Sequence, residues 1–526
     1  MLKLVIPAAG LGSRIGPYTK FKNKGLLTVG QKPAISHVID TFSRISDLVI
    51  ILGYQGGALR DAIVTLHPDK NITFVIVDKF TGPGSGLGYS LNTAKEYLQC
   101  PFVFCPNDAI FSAFPENEFL SPISGNLLGY YRKQPHDDYR LEDFRTIELH
   151  DGMVGRIFPK GSGSSLIYTG VARIEDYYEF WSGMESDLAV EAGEVIGLSA
   201  LPRLRGIEIS SWHDCGTLEN LERSRSQFCS KDFIVLEKQD EAIWFKGDRV
   251  VKFSSNPKFI YGRLMRHKRL PINLVPQISD STDYTYSYQL IPGTTFDPFR
   301  HSGRLIGILD TMQKEIWSEY NDTDPEPLYA IAISFYKEKT LARCREYQAR
   351  YEDFDDSLMI NGVQVSALNE QLSLLNWDEL ACNCVWANYH GDFHPDNIIV
   401  GEETFTLIDW RQDFGRDFYD CGDVYYDLAK FLHGLEINHK IISDQGFRVH
   451  WMDKRDVRID VFQRMSLLDI KQEFINWLLS NNYSLHRVYL LTSLIYLNIA
   501  SLHEYPYAQF LYLLGRLKLQ RYLVPS

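Results

Sequence analysis

The chain is short of positive charge. Its 54 Lys and Arg face 67 Asp and Glu, a formal net charge of −13 over 526 residues. Gripping nucleic acid through its phosphates takes a basic surface and usually a basic balance, so non-specific nucleic-acid binding is excluded as the main activity. Small anionic substrates are not excluded, because local Arg, Lys and metal ions hold those. Cysteine is scarce and scattered, eight in all. Cys382 and Cys384 form a lone C-x-C with no partner pair at zinc spacing, and Cys100 and Cys105 flank an expected strand. Mostly buried free thiols in a reducing compartment are the expectation. Long apolar runs are missing too. The longest, Val488 to Leu502, contains Thr492, Ser493 and Asn498 and is too short to span a bilayer. It reads as a buried helix. The opening Met1–Ile6 stretch meets glycines too soon for a signal peptide. A cytoplasmic protein with no membrane insertion and no nucleic-acid partner is expected, its oligomeric state open. There is no internal repeat and no low-complexity tract.

What is present is ordinary globular material, 45% hydrophobic and 23% charged. The length exceeds what one core organises, so at least two domains are expected. The first part alternates. Leu2–Pro7, Leu48–Leu52, Ile72–Val77 and Phe102–Cys105 read as strands; Ala34–Ser43 and Gly57–Leu66 read as helices. Such alternation predicts a mostly parallel α/β sheet, with ligands at the carboxyl ends of its strands. After a charged helix at Glu219–Cys229 the pattern changes. Phe233–Leu236, Ala242–Phe245 and Arg249–Phe253 are short strands joined by tight turns, an antiparallel meander. Helical periodicity dominates from about residue 300.

The first loop reads Ala8-Ala9-Gly10-Leu11-Gly12-Ser13-Arg14. Its glycines let backbone N–H groups approach a phosphate. The dinucleotide fingerprint fails at Ile15, and no Gly-Lys-Ser/Thr follows for a P-loop. The loop resembles instead the signature of sugar-phosphate and choline-phosphate nucleotidyltransferases, G-x-G-x-R and then a lysine before Leu-Leu. Here these are Gly10, Gly12, Arg14 and Lys24-Gly25-Leu26-Leu27, with Asn23 where that family usually has Pro. Leu52-Gly53-Tyr54, the glycine loop Thr81–Gly88, Pro106-Asn107-Asp108, Lys160, Tyr168-Thr169-Gly170 and Trp212-His213-Asp214 follow in the family's order, over about residues 1–225. The resemblance implies a Rossmann-like mixed sheet with flanking helices. It implies nucleotide binding by Ala8, Ala9, Gly10, Gly12 and Gly86, and catalysis by Arg14 and Lys24. Acceptor binding falls to Lys160 and Gly170, and Mg²⁺ binding to Asp108 and Asp214. Read without the resemblance, Lys160 is as well a solvated surface lysine, and Asp108 and Asp214 are turn residues.

The strongest short motif is His390-Gly391-Asp392-Phe393-His394-Pro395-Asp396-Asn397, followed by Ile408-Asp409-Trp410. Its Asp-to-Asn spacing is that of a kinase catalytic loop, and a hairpin of Ile398–Val400 and Thr404–Ile408 brings in a second Asp. The arrangement resembles the aminoglycoside phosphotransferase and choline kinase superfamily, over about residues 231–526. That implies a two-lobed α+β fold, with Asp392 as base and Asn397 and Asp409 on Mg²⁺. Gly422-Asp423 and Asp427-Leu428-Ala429 fit that family's supporting helix, and His390 and His394 would orient the loop. ATP would meet Lys252 and the segment containing Gln289 and Ile291. One element of the pattern is missing: no Glu lies between Phe253 and Asp280 to pair with Lys252.

The expected division is residues 1–228 for nucleotidyl transfer and 229–526 for phosphoryl transfer, with a small lobe at about 231–293 and a helical large lobe at about 294–526. The implied enzyme phosphorylates a small alcohol or amino alcohol with ATP. It then transfers a nucleotidyl group, from CTP by the logic of CDP-alcohols, to the phosphorylated acceptor. The product would be an activated head group for surface polysaccharide or lipid. The alternatives are a sugar-1-phosphate nucleotidyltransferase using UTP, dTTP or GTP, with a sugar kinase or with a kinase-like domain that only senses.

Overall fold

The computed structural model describes every residue except 1, 136, 187, 229–238, 319, 321–324, 353–354, 463–464 and 524–526. The expected strand Phe233–Leu236 therefore lies outside the described residues. The chain forms two compact units: Met1–Ile260 with Ile278–Leu290, and Tyr261–Gln277 with Ile291–Ser526.

The first unit is built on strands β1 (Lys3–Ala8), β2 (Asp47–Leu52), β3 (Asn71–Ile76), β4 (Phe102–Phe104), β6 (Leu127–Arg132), β7 (Thr146–His150), β8 (Met153–Phe158), β9 (Leu166–Ile174) and β10 (Arg205–Glu208). They make one sheet in the order β3-β2-β1-β4-β9-β6-β10-β8-β7. The first four are parallel, and β9 enters antiparallel to both β4 and β6. β1 is buried on both faces, as a central parallel strand must be. Leu4, Ile6 and Ala8 pack in one core with α1 (Ala34–Thr41) and α2 (Gly56–Leu66). Val5 packs in another with Leu91 of α3 (Leu87–Thr93). A separate pair, β5 (Ala109–Ala113) and β11 (Ser211–Asp214), runs antiparallel, and α4 (Leu218–Gln227) follows it.

The meander is present as β12 (Glu241–Lys246), β13 (Arg249–Ser254), β14 (Ile278–Ser281) and β15 (Thr285–Gln289), in the order β12-β13-β15-β14. Although it was expected to open a second domain, it belongs to the first compact unit. Ala242, Trp244, Val251 and Phe253 enter the core that holds α2, and Thr65 and Thr285 share a 2.7 Å hydrogen bond. By packing, residues 241–260 and 278–290 group with the first unit.

The second unit takes in the last seven residues of α5, which starts at Pro257 and ends at His267, and the helices α6 (Lys339–Tyr351), α7 (Val424–Glu436), α8 (Leu485–Ala500) and α9 (Tyr507–Leu523). The expected hairpin is β16 (Ile398–Val400) with β17 (Phe405–Leu407). The apolar run from Val488 lies mostly in α8, largely buried. No helix among the described residues is long and apolar enough to cross a membrane. All seven described cysteines are free thiols.

Candidate functional site

In the first unit the loop after β1 is held by Asn23. Its buried amide donates to Ala8 O at 2.8 Å and to Tyr54 O at 2.9 Å, while its Oδ1 accepts from Gly25 N at 2.9 Å. A proline there could not make these bonds; Asn23 ties the loop to the ends of β1 and β2 and sets the start of the turn carrying Lys24. Lys24 Nζ reaches Asp108 Oδ2 at 2.7 Å. The pairing of β5 with β11 places Asp214 opposite Ala109, so Asp108 and Asp214 meet. Asp108 Oδ2 and Asp214 Oδ1 each stand 3.2 Å from where a Cβ on Gly216 would be. Asp214 Oδ2 accepts from Gly216 N at 3.0 Å and Asn220 Nδ2 at 2.7 Å.

Electrostatics distinguish the two acids. Burial opposes the charge of Asp108, but Lys24, with Arg14 behind it, overrides burial and holds the carboxyl below its ordinary range. Burial and then the Asp108 charge push Asp214 up. Lys160, on the loop between β8 and β9, is pulled down by partial loss of water and by Arg14, with Asp214 opposing. Arg14, Lys24, Lys160, Asp108 and Asp214 therefore share one field. Two hard carboxylates crowded together are a donor set that suits a divalent cation. Gly170, at φ 85°, lies on β9 where a Cβ would stand 2.7 Å from Pro106, just before Asp108. Ala8 and Ala9 are buried at the end of β1, Gly10 is exposed, Gly12 has φ 69° and Gly86 caps α3.

In the second unit Asp392 and Asn397 face each other. Asn397 Nδ2 donates to Asp392 O at 2.9 Å and to Asp392 Oδ2 at 3.2 Å, leaving its Oδ1 as the acceptor. Ile408 N donates to Asn397 O at 2.9 Å, which brings Asp409 beside the loop, in a left-handed conformation at φ 59°. The oxygen donors of Asn397 and Asp409 also suit Mg²⁺. Asp427 of α7 fixes the loop from beneath: it accepts from His390 N at 2.7 Å, Gly391 N at 2.6 Å and Trp317 Nε1 at 3.0 Å. Burial raises its carboxyl to about 6. Asp423 caps α7 and pairs with Arg487 at 2.7 Å. His390 and His394 accept from Asp392 N and Asp396 N, both at 3.3 Å, which is an orienting role.

Residues 4–113 match the MobA-like NTP transferase domain, and residues 329–458 match the phosphotransferase enzyme family. The chain joins a nucleotidyltransferase domain to a phosphotransferase domain. Several curated proteins are similar to part of this chain. A choline-phosphate cytidylyltransferase of Streptococcus pneumoniae is 29% identical over 163 residues, 30% of this chain and 67% of that protein. A bifunctional protein GlmU of Methanococcus vannielii is 25% identical over 230 residues, 40% of this chain and 51% of that protein. A UTP–glucose-1-phosphate uridylyltransferase of Staphylococcus epidermidis is 26% identical over 174 residues, 28% of this chain and 57% of that protein. The chain thus spans about half to two thirds of the length of these relatives.

The nucleotidyltransferase domain brings together five of its sequence-derived residues, and the phosphotransferase domain brings together Asp392, Asn397 and Asp409. Lys252 is buried on β13 and Gln289 ends β15, both in the first unit; Ile291 is half-buried in the second. α5 carries no acid, and Arg266 stands buried in it instead, donating to Tyr419 O at 2.9 Å and Asn388 Oδ1 at 3.2 Å. It ties α5 to Asn388, just before the Asp392 loop, and to Tyr419 after it. The sequence reading missed Lys430 of α7, whose Nζ lies 2.6 Å from Asp392 Oδ1. Burial works against the Asp392 charge, but Lys430 overrides it and holds the carboxyl far below its usual range. A signal was there: Lys430 lies one helical turn beyond Asp427, so both face the loop.

Proposed function

We propose that the two domains act in series, residues 229–526 phosphorylating a small hydroxyl compound with ATP and residues 1–228 transferring a nucleotidyl group to the product. What carries the reading is that one chain holds both a paired-carboxylate site with three nearby cations and an Asp392–Asn397 site braced by Asp427. In the first centre an acceptor phosphate oxygen attacks the α-phosphorus of a nucleoside triphosphate and pyrophosphate leaves. Arg14 and Lys24 hold the triphosphate and Lys160 the acceptor phosphate, offsetting the repulsion between two anions. Asp108 and Asp214 would hold Mg²⁺, which supplies further charge neutralisation at the reacting phosphate. In the second centre Asp392 takes the hydroxyl proton, and Asn397 and Asp409 would hold Mg²⁺ against the ATP phosphates. We take CTP as the nucleotide, supported by the likeness to a choline-phosphate cytidylyltransferase, and an activated head group made in the cytoplasm as the product.

A second reading, a sugar-1-phosphate as acceptor with UTP, is favoured by the likeness to a uridylyltransferase. Wild-type protein given ATP, an unphosphorylated acceptor and each of CTP, UTP, GTP and dTTP separates the two. Pyrophosphate should appear only when ATP, acceptor and CTP are all present. Pyrophosphate with UTP alone selects the second reading. A kinase product that the nucleotidyltransferase domain never accepts defeats the series.

A further inference from the structure

The surroundings of Asp392 say more about its substrate than the motif does. Lys430 stands on Asp392, four residues beyond Tyr426 on α7. The Arg411 guanidinium, two residues after Asp409, lies 5.0 Å from the centre of the Phe335 ring and 6.0 Å from that of Tyr426. Lys339, first residue of α6, brings its Nζ to 4.1 Å from the same Phe335 ring and 5.8 Å from the same Tyr426 ring. Two cations thus share one aromatic pair, and the third reaches over from the next turn of the helix that supplies Tyr426. The glycine of the motif makes room for this: a Cβ on Gly391, at φ 83°, would stand 2.4 Å from Arg411 Cβ.

The cluster holds less negative charge than positive. Asp392 is engaged by Lys430 and by Asn397. Asp413 Oδ1 accepts from Gly415 N at 2.6 Å and its main-chain oxygen accepts from Arg411 Nε at 2.8 Å, while its charge favours the charged forms of both Arg411 and Lys339 without forming an ion pair with either. Among the described residues neither Lys339 nor Arg411 forms an ion pair. Aromatic faces attract cations, but they do not return what a half-buried charge loses in leaving water. Burial, and then the nearby charges of Arg411 and Lys430, pull the Lys339 ammonium well below its ordinary value. A cluster so arranged gains from an incoming anion and repels an incoming ammonium.

We propose that Lys339 and Arg411 seat an anionic group of the very alcohol that Asp392 deprotonates, so that the phosphoryl acceptor is a hydroxy acid or a phosphate-bearing alcohol and not an amino alcohol. This rests on the phosphotransferase reading above. In the step itself the acceptor hydroxyl oxygen bonds to the γ-phosphorus of ATP. The bond from that phosphorus to the β–γ bridging oxygen breaks, its electron pair leaves with ADP, and the hydroxyl proton passes to Asp392. Lys339 and Arg411 bind a part of the acceptor that does not react. They thereby fix which hydroxyl faces the base.

The test uses the full chain with ATP and Mg²⁺ and reads ADP release with choline, glycerol, glycerate and glycerol 3-phosphate, with Asp392→Asn as the blank. Glycerate or glycerol 3-phosphate should exceed glycerol at least tenfold in kcat/KM, with choline no better than glycerol. The better of the two anions tells carboxylate from phosphate. Lys339→Met should raise the KM for the preferred anion at least tenfold, with a larger effect on KM than on kcat. Should that variant fail to fold, the wild-type ranking decides alone: choline or glycerol ahead of both anions overturns the proposal. A parallel arm follows the melting temperature with Mg²⁺ and ADP as glycerate or glycerol 3-phosphate is added. If no acceptor yields ADP above the blank, yet an anion raises the melting temperature in wild type and not in Lys339→Met, the anion seat stands and the phosphotransfer reading falls. No turnover and no such shift overturns the seat as well.

Discussion

Replacing Asp214 by Asn tests the carboxylate pair of the nucleotidyltransferase domain, because its effects on stability and on activity should have opposite signs. Asp108 Oδ2 and Asp214 Oδ1 can be no more than about 6.4 Å apart, given their common 3.2 Å distance to the position of a Cβ on Gly216. Two unit charges at that separation, in an effective dielectric of about 20, repel by roughly 2–3 kcal/mol. Asn removes the repulsion and keeps the shape. Its amide oxygen still accepts from Gly216 N and Asn220 Nδ2, and its NH₂ then turns towards Asp108. Lys24 keeps its place on Asp108. At pH 8 with a chelator, both acids are ionised in the wild type, so the variant should be more stable by about 1–3 kcal/mol. For a unit of this size that is a rise of roughly 3–8 °C in its melting transition. Added Mg²⁺ should stabilise the wild type by relieving the same repulsion, and that increment should vanish in the variant. Pyrophosphate release should fall by about 10²-fold or more, the worth of several kcal/mol of metal-borne charge stabilisation. Thermal unfolding with and without Mg²⁺, run beside a pyrophosphate assay, reads all three effects. A lower metal-free melting temperature, an undiminished Mg²⁺ increment or near wild-type pyrophosphate release would refute the reasoning.

Asp392→Asn should cut ADP release by about 10²–10⁴-fold while leaving pyrophosphate release from a pre-phosphorylated acceptor intact, since only one domain loses its base; equal loss in both assays contradicts the division of labour. Asp427→Ala leaves the N–H groups of His390 and Gly391 and the Trp317 indole without an acceptor, at about 1–3 kcal/mol each, offset in part by no longer burying an acid. The second unit should melt several degrees lower, and calorimetry showing no change would reject that role. His67 is buried between Ser36 Oγ at 2.9 Å and Lys246 Nζ at 2.6 Å, and burial and then Lys246 lower it to about 3. The unfolded chain binds that proton near the ordinary 6.5. The stability His67 contributes is therefore complete above pH 6.5 and is lost as pH falls through 3, by roughly 5 kcal/mol in all. Denaturant midpoints of the first unit should drop more steeply between pH 6.5 and 4 in wild type than in His67→Gln, and parallel curves would remove His67 from the account.

Features held within a few consecutive residues were legible from the sequence. The alternation of β1, α1, β2 and α2, the glycine loop after β1 and the Asp392–Asn397 loop with its β16–β17 hairpin depend on local spacing and on periods of two and of about four. The same holds for the apolar α8, whose polar residues at 492, 493 and 498 mark a helix buried in protein. The placement of the meander was not legible. An antiparallel sheet with one apolar face looks the same in sequence whichever core that face enters. Here Trp244 and Phe253 enter the core around α2 and draw the sheet into the first unit.

By itself the sequence determined the chemistry on offer: which carboxylates, lysines and amides stand in loops at strand ends, and which spacings fit phosphate and metal. Only the tertiary structure decided which charges face each other. Asp108 and Asp214 meet because β5 pairs with β11 across a long stretch of chain. Lys430, Arg411 and Lys339 come from a helix, a loop and another helix, and no local pattern links them. Electrostatic energy depends on distance and on burial, and a folded chain sets both through contacts between residues remote in sequence. The motif around Asp392 therefore announces phosphoryl transfer, whereas the charges that surround that motif are set only by the side chains folding gathers around it.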